Sequence, residues 1–280
     1  MESKGLHLRR LLTGYKSLIV AFSGGADSAY LAWAATDVLG PSVLCVTADS
    51  PSYPDRHRQL ALAVARDVNL RHEFIHTSEL ERAEYRANPA NRCYYCKHEL
   101  YGSLTGIARA RGFAEVADGS NADDRGDYRP GRQAAREFGV RSPLDEVGLT
   151  KAEIRELSRR AGLRTWDEPA SACLSSRIPY HSEVTREKLK MIERAEEVLR
   201  SLEFRVCRVR HHDLDSAVAG SSPALARLEI GRDELPRALD PELHDRIVRE
   251  IRAVGYQHVT IDPRGYRMGS LNEGVRLEPV

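Results

Sequence analysis

The chain has 280 residues, 41% of them apolar, which is enough for one large domain or two modest ones. Charged residues make up 30% of the chain, but the formal net charge of +1 gives no global attraction to nucleic acid or to a membrane. No apolar run approaches the roughly 18 residues of a membrane span, and the N-terminus lacks the apolar stretch of a secretory signal, so we expect a cytoplasmic protein with reduced thiols.

Up to about residue 180, short apolar strands alternate with helices. Strands are predicted at residues 18–22, 43–47, 72–76 and 115–118. Helices are predicted at residues 29–39, 56–68, 94–111, 131–138 and 150–161. Thr150 begins the last of these helices, and Glu153 follows three residues later, which is the spacing of a capping box. The alternation predicts an α/β domain over residues 1–180, built on a doubly wound parallel sheet.

After Pro179 the pattern changes. A long charged helix is predicted at residues 184–202. Strands follow at residues 204–211 and 225–230, then a helix at 241–254 and a strand at 259–262. We therefore predict a smaller C-terminal α+β domain over residues 181–280, joined to the first domain by the loop around residues 169–179.

The first strand and the first helix are joined by a glycine turn, SGGADS, at residues 23–28. Its glycines allow a tight turn that presents successive N–H groups to an anion, and the next helix adds its positive N-terminal end. Ser23 and Ser28 supply hydroxyl donors. Asp27 would repel a bare phosphate, so its place in the turn is explained if it holds a Mg²⁺ ion bridging to pyrophosphate. An ordinary glycine turn is the alternative.

This turn lacks the lysine of a Walker A loop and resembles the SGGxDS loop of the PP-loop ATP pyrophosphatases, HUP-like proteins that cleave ATP to AMP and pyrophosphate. The resemblance implies ATP and Mg²⁺ as cofactors. Two further segments end the second and fourth strands, where nucleotides bind in such sheets. The predicted ATP-binding residues are Ser23, Gly24, Gly25, Asp27, Ser28, Thr47, Asp49, Gly119 and Asn121.

Further charged residues follow the fourth strand. Asp123, Asp124 and Asp127 either bind metal or only solvate a loop, and the sequence leaves both readings open. Lys151 begins a predicted helix, where it either contacts phosphate or lies at the surface.

Three cysteines suggest sulfur or cluster chemistry. Cys93 and Cys96 form a C-x-x-C pair, and Cys173 lies in a loop of small and polar residues flanked by prolines. Arg177 nearby would favour the reactive thiolate of Cys173. Three thiolates can hold a 4Fe–4S cluster with one iron left open. The alternative is that Cys173 itself is the nucleophile or sulfur donor, with the other two as helpers.

Taken together, the motifs resemble those of the LarE family, the ATP-dependent sulfur transferases that make the thiocarboxylates of the nickel-pincer nucleotide cofactor. The resemblance covers nearly the whole chain, and one departure is His181, where a glycine is expected. The motifs are SGGADS at 23–28, TADSPSYP at 47–54, NRCYYCK at 91–97, DGSNADD at 118–124, SPLDEVGLTKAEIR at 142–155, PASACLSSRIPY at 169–180, RVRHHD at 208–213, ARLEIG at 226–231 and GYRMGSLNE at 265–273.

The resemblance implies that ATP adenylates a carboxylate of pyridinium-3,5-biscarboxylic acid mononucleotide and that a sulfur nucleophile then displaces AMP. Asp27 and Cys173 would be the catalytic residues. In one branch of the family a single cysteine at the Cys173 position gives up its sulfur and becomes dehydroalanine. In another branch three cysteines bind a 4Fe–4S cluster that relays sulfide. Because Cys93 and Cys96 are also present, we favour the cluster branch, and the sacrificial route stays open.

The second domain supplies cations for the substrate phosphate and carboxylates. Arg208 and Arg210 lie two apart on a predicted strand, so both point to one face, and arginine binds such groups bidentately. Arg177 is predicted to join them, and Glu229 on the neighbouring strand would pair with these arginines or bind metal. A solvated face is the alternative for the arginine pair.

The expected partners are small molecules and proteins. The resemblance implies a small-molecule nucleotide substrate, a homo-oligomer and transient contact with enzymes of the same pathway, without nucleic-acid or membrane partners. A PP-loop tRNA thiolase with a three-cysteine cluster is the alternative enzyme, although it would be expected to carry a basic face. A nucleotide-binding regulatory protein without turnover is a third possibility, and it would release no pyrophosphate.

Overall fold

The computed structural model describes residues 1–126, 129–169, 172–214, 223–267 and 269–273. They form two compact units, one of residues 1–79 and 91–169 and the other of residues 80–90 and 172–273. The predicted domain boundary after residue 180 differs from this division. Residues 80–90 join the second unit because, for example, the Asn88 side-chain amide donates to the carbonyl oxygens of Pro179, at 2.7 Å, and Ser182, at 3.0 Å.

The first unit is built on a four-stranded parallel sheet, which confirms the predicted fold class. Its strand order is β3-β2-β1-β4, with β1 paired to β2 and to β4. All four residues of β1 are buried, so the strand is continuously apolar, as expected for a strand covered on both faces. The strands are β1 (Leu18–Ala21), β2 (Val43–Asp49), β3 (His72–His76) and β4 (Glu115–Ala117).

Helices precede, connect and follow these strands. They are α1 (Glu2–Gly14), α2 (Ala26–Leu39), α3 (Asp55–Asp67), α4 (Arg92–Arg111), α5 (Gly131–Glu137) and α6 (Lys151–Arg160), with a one-turn helix at Pro143–Glu146. The capping box of α6 is present as predicted, since the Thr150 side chain accepts from the Glu153 N–H and the Glu153 carboxylate accepts from the Thr150 N–H. In the described part of the chain, no helix has both the length and the apolar character needed to cross a membrane.

Alternate residues of β1 belong to two separate cores, because successive strand side chains point to opposite faces of a sheet. Leu18 and Val20 pack in a cluster with residues of α1, α2, α3 and α6. Ile19 and Ala21 pack in a second cluster with residues of α4 and α5. This two-sided packing is the doubly wound arrangement that the alternating sequence pattern predicts.

Helix α1 has no counterpart among the predicted elements. Its buried residues are Leu8 and Leu12, four positions apart, and charged or polar residues occupy most of its remaining surface. Such a narrow apolar stripe gives a weak periodic signal, so the helix depends on its tertiary packing against α2.

The second unit has a three-stranded sheet in which β6 pairs antiparallel with β5 and parallel with β7. The predicted strand at 204–211 begins later because the N–H groups of Arg205 and Val206 donate to the Glu234 carboxylate, at 2.8 and 2.9 Å. The elements of this unit are β5 (Cys207–Asp213), β6 (Ala224–Ile230), β7 (His258–Ile261), α7 (Arg186–Ser201), α8 (Pro241–Val254) and one-turn helices at Ala83–Arg86 and Leu235–Ala238.

Candidate functional site

The glycine turn of residues 23–28 leads from the carboxyl end of β1 into α2. The hydroxyl oxygens of Ser23 and Ser28 lie 3.0 Å apart, and the Ser28 hydroxyl also donates to the Gly25 carbonyl at 3.1 Å. Gly25 is the N-cap residue of α2, so the first amides of this helix have no side-chain cap. The arrangement is suited to binding an anion at the start of α2.

Two glycines permit the backbone approaches that shape this turn. Gly24 has φ +73°, and a Cβ there would lie 3.0 Å from the backbone of Ala61 in α3. Gly119, in the loop after β4, approaches the backbone of α2 even more closely than Gly24 approaches α3. A Cβ on Gly119 would lie 2.9 Å from the backbone nitrogen of Ser28, so no larger residue fits without moving the start of α2.

Asp27 is held at the start of α2 by the loop after β4. The Asn121 side-chain amide donates to its carboxylate at 3.0 Å, and Asn121 itself is completely buried. Burial raises the pKa of the Asp27 carboxyl, while Lys151 lowers it and Asp124 raises it further. A cation bound here would offset the unfavourable burial of the charge, which fits the predicted Mg²⁺ role, because carboxylate oxygens suit that ion.

The loop after β4 owes its shape to Asp118. This buried carboxylate accepts from the Tyr101 hydroxyl at 2.6 Å, from the Ser142 hydroxyl at 2.8 Å and from both the N–H and the hydroxyl of Ser120. The loop is therefore fixed from three directions before it reaches Asn121. Asp118 acts on the site through this loop.

The predicted adenosine residues at the end of β2 are both engaged within the protein. Thr47 is buried and donates to the Phe22 carbonyl at 2.6 Å, so its oxygen accepts from His72 Nε2 at 2.8 Å. Burial lowers the pKa of His72, which favours the neutral ring. Asp49 forms an ion pair with Arg58. Contact between Thr47 and ATP would have to come from its main chain.

The acidic residues after Asn121 have structural partners. The Asp123 carboxylate accepts from the Lys151 N–H at 2.8 Å and so caps α6. Asp124 pairs with Lys151 at 3.2 Å and with Arg129 at 3.1 Å. The third predicted carboxylate, Asp127, lies outside the described residues.

The two cysteines of the C-x-x-C pair lie in the first turn and a half of α4. Cys93 is exposed and Cys96 is half-buried, and their spacing places them on one side of the helix. Cys173 belongs to the second unit, is half-buried and directly precedes a 3₁₀ turn at Leu174–Arg177. Within either unit, the described residues include no group of three His, Cys, Asp or Glu side chains able to hold a metal. The predicted three-cysteine cluster therefore stays a prediction.

Arg177 is fully buried and bonded on two sides. Its Nε and Nη2 donate to the two carboxylate oxygens of Glu196, at 2.8 and 3.2 Å. Its Nη1 donates to the carbonyl oxygens of Ala172, at 2.6 Å, and Cys173, at 2.9 Å. Although Glu196 is completely buried, which would raise its pKa, Arg177 lowers that pKa to about 2.

Arg208 and Arg210 do lie on one face of β5, opposite Glu229 and Arg227 of β6. Arg210 donates to Glu229 at 2.7 Å and to the Ser176 carbonyl at 2.9 Å, so Glu229 pairs with one of the two predicted arginines, and its role toward the substrate stays a prediction. Burial lowers the pKa of the Arg208 guanidinium, and repulsion from Arg177 lowers it further. A bound anion would relieve both effects.

Several residues that shape the site were not singled out by the sequence. Glu196 is one charged residue among many on α7, and nothing in its spacing reveals that it faces Arg177. The sequence also did not reveal that Arg58 pairs with Asp49. Nor did it reveal that the Tyr53 hydroxyl donates to the Ser23 carbonyl at 2.9 Å. Tyr53 follows β2 inside the TADSPSYP motif, and that position was the one available signal.

Comparisons with known proteins cover almost the entire chain. A pyridinium-3,5-bisthiocarboxylic acid mononucleotide synthase from Lactiplantibacillus plantarum is 33% identical over 277 residues, covering 98% of this chain and 95% of that protein. An uncharacterized protein from Synechocystis sp. is 41% identical over 97% of this chain and 98% of its own length. An uncharacterized protein from Methanocaldococcus jannaschii is 28% identical over 90% of this chain and 91% of its own. No protein-family model matches the chain.

Replacing Gly119 with alanine tests the close approach between the loop after β4 and the start of α2. The added methyl meets backbone atoms of Ser28, so we expect a loss of about 1–3 kcal/mol in unfolding free energy. Urea denaturation measures the loss. Gly106→Ala is the matched control, because the space beside Gly106 in α4 is open and alanine favours a helix by about 0.5–1 kcal/mol. Equal stability changes in the two variants would contradict the prediction.

Replacing Asp27 with asparagine tests the cost of burying its charge. The folded-state pKa of Asp27 is raised, so ionisation costs stability above that pKa, and the cost vanishes as the pH falls below the ordinary value of about 4. Asp27→Asn can still accept from Asn121, and we expect it to raise the Tm of the ligand-free protein by about 2 °C near neutral pH, with the gain shrinking on acidification. Calorimetry across this pH range measures the gain. A lower Tm than the wild type near neutral pH would refute the interpretation.

Proposed function

Because the chain belongs to the LarE family of sulfur transferases, which act in nickel-pincer nucleotide cofactor synthesis, we propose that it activates its substrate with ATP. The substrate would be pyridinium-3,5-biscarboxylic acid mononucleotide, the dicarboxylic counterpart of the product named for the Lactiplantibacillus plantarum relative. A substrate carboxylate attacks the α-phosphorus of ATP and pyrophosphate leaves. Sulfur then replaces AMP at the acyl carbon and gives the thiocarboxylate.

The observation that carries the proposal is the partly buried Asp27 at an uncapped helix start, fixed by Asn121 and by the close approach of Gly119. Donors at the N-terminus of α2 would stabilise the charge that develops on pyrophosphate. Asp27 would hold Mg²⁺, which supplies further charge neutralisation at the phosphates. Carboxylates and thiolates are already nucleophiles, so neither step requires a strong general base.

Arg208 and Arg210 would bind the anionic groups of the substrate. Arg208 is a half-buried cation whose guanidinium lies 5.2 Å from the centre of the Tyr266 ring. The Nε of Arg210 is buried and has no hydrogen-bond partner among the described residues. A buried donor of this kind gains free energy when a ligand oxygen reaches it, and phosphate and carboxylate oxygens are the usual partners of arginine.

Cys173 would supply or relay the sulfur. In the sacrificial route its thiolate attacks the acyl adenylate and expels AMP, forming a thioester. Loss of the Cα proton then breaks the Cβ–S bond, which leaves dehydroalanine in the chain and the sulfur on the product.

In the cluster route, which we favour from the sequence, Cys93, Cys96 and Cys173 would hold a 4Fe–4S cluster, and their three thiols are suitable ligands for it.

Pyrophosphate release tests the proposed activity. With ATP and the mononucleotide, the anaerobically prepared wild-type protein should release pyrophosphate and form thiocarboxylate. Cys173→Ala should still release pyrophosphate but form no thiocarboxylate, because activation precedes sulfur delivery. Cys45→Ala, a change in the buried core, is the matched control and should retain both activities. Thiocarboxylate formation by Cys173→Ala, or pyrophosphate release that does not depend on the mononucleotide, would contradict the proposal.

Iron and sulfide analysis separates the two sulfur sources. The cluster route predicts iron and acid-labile sulfide in the anaerobically purified protein, and loss of both in Cys93→Ala and in Cys96→Ala. The mass of the Cys173 peptide should then be unchanged after turnover. A peptide that has lost the mass of H₂S, in a protein without iron, would overturn the cluster route and establish the sacrificial one.

A further inference from the structure

Residues 172–179, called here the Cys173 segment, are held at two places within the second unit. At the C-terminal end of this segment, the Asn88 side-chain amide donates to the carbonyl oxygens of Ile178 and Pro179, at 3.3 and 2.7 Å. The Tyr85 hydroxyl lies 2.7 Å from the Ser175 hydroxyl, and both side chains are buried. These bonds fix the part of the segment that follows Cys173.

The end that contains Cys173 is held differently, through Arg177. The Nη1 of Arg177 donates to the main-chain carbonyls of Ala172 and Cys173 and to the Ser176 hydroxyl, at 2.6, 2.9 and 3.0 Å. The Ser176 hydroxyl in turn donates to the Cys173 carbonyl at 2.7 Å. The main chain of Cys173 is thus bonded to two side chains of its own 3₁₀ turn.

Glu196 fixes the guanidinium that makes these bonds. Both of its carboxylate oxygens accept from Arg177, and both side chains are only 2% exposed. Of the five N–H groups of an arginine, these contacts engage both on Nη1, the one on Nε and one on Nη2. A buried guanidinium with four of its five N–H groups engaged cannot turn toward a substrate without breaking a buried ion pair, which is strongly destabilising.

We propose that Arg177, anchored by Glu196, is a positioning residue that sets the place of Cys173, and that it is not a ligand of the substrate. The inference rests on the proposed function in so far as Cys173 is the sulfur-bearing residue. Its physical basis is that a small displacement of a reacting atom is costly, and an error of about 1 Å can lower a rate by about 10²-fold. The carbonyl bonds from Arg177 limit that displacement at Cys173 itself.

The test uses Arg177→Met combined with Glu196→Gln in the full-length chain. This double variant removes both charges of the buried Arg177–Glu196 pair together, which favours folding over either single change, and the glutamine oxygen can still accept from the Val209 N–H as Glu196 does at 3.2 Å. Arg200→Gln is the matched control, because Arg200 also bonds Glu196, at 3.4 Å, but lies outside the Cys173 segment. Circular dichroism and Tm establish that both variants are folded.

Two readouts decide the outcome. The first is the rate at which iodoacetamide alkylates Cys173, followed by peptide mass spectrometry without ATP or substrate. We expect it to rise about threefold or more in the double variant, as the segment loosens, and to stay at the wild-type value in Arg200→Gln. The second is sulfur transfer, which should fall about 10²-fold in rate, while the KM for the mononucleotide stays within about twofold.

Two results would overturn the proposal. One is a Cys173 alkylation rate in the double variant equal to those of the wild type and Arg200→Gln. The other is a large rise in KM with kcat retained, which would make Arg177 a substrate ligand. If the wild-type protein transfers no sulfur, the proposed function fails, but the alkylation rates still decide whether Arg177 positions Cys173.

Discussion

A partly buried carboxylate, Asp27, stands at the start of α2, and the arrangement of the first unit around it follows from accommodating that charge. Burial disfavours the ionised form and raises the pKa of Asp27, so the position is unfavourable unless other groups support it. Support comes from the loop after β4, where Asn121 donates to the carboxylate and Gly119 lets the two backbones meet. Asp118 then fixes that loop through bonds to Tyr101 and Ser142.

In the second unit, the pKa of a buried carboxylate, Glu196, is shifted in the opposite direction. Glu196 is completely buried, yet its pKa falls to about 2 because Arg177 neutralises it at two oxygens. Its charge is satisfied within the protein, whereas that of Asp27 has an amide donor and a more distant lysine. The Glu196 charge is therefore neutralised by Arg177, whereas the proposed Mg²⁺ would neutralise the charge of Asp27. The main chain at Cys173 accepts hydrogen bonds from Arg177, the cation of this ion pair.

Much of the fold could be predicted from local patterns, and the failures have physical causes. β1 and β2 are short apolar runs bounded by turns, and the Thr150–Glu153 capping box is set by spacing alone, so both were predictable. Helix α1 was not, because two leucines make its buried stripe. The membership of residues 80–90 in the second unit depends on Asn88 meeting carbonyls about ninety residues away.

The site was predictable where chemistry is encoded in a contiguous motif. The glycine turn revealed Asp27, and the loop after β4 revealed Asn121, because each follows a strand of a parallel sheet. The pairing of Arg177 with Glu196 joins residues far apart in the chain, and neither residue type signals its partner. The contacts of the Thr47 hydroxyl with Phe22 and His72 were likewise not predictable from the sequence, and the predicted contact of Thr47 with ATP stays a prediction.

The central claim is that the substrate carboxylate is activated as an acyl adenylate at the glycine turn. Transfer of oxygen from substrate to AMP tests it most directly. With mononucleotide enriched in oxygen-18 at its carboxylates, adenylation places a labelled oxygen on phosphorus, and displacement by sulfur leaves it on AMP. We predict one labelled oxygen in each AMP formed together with thiocarboxylate. Unlabelled AMP, with thiocarboxylate formed at the same rate, would contradict the account.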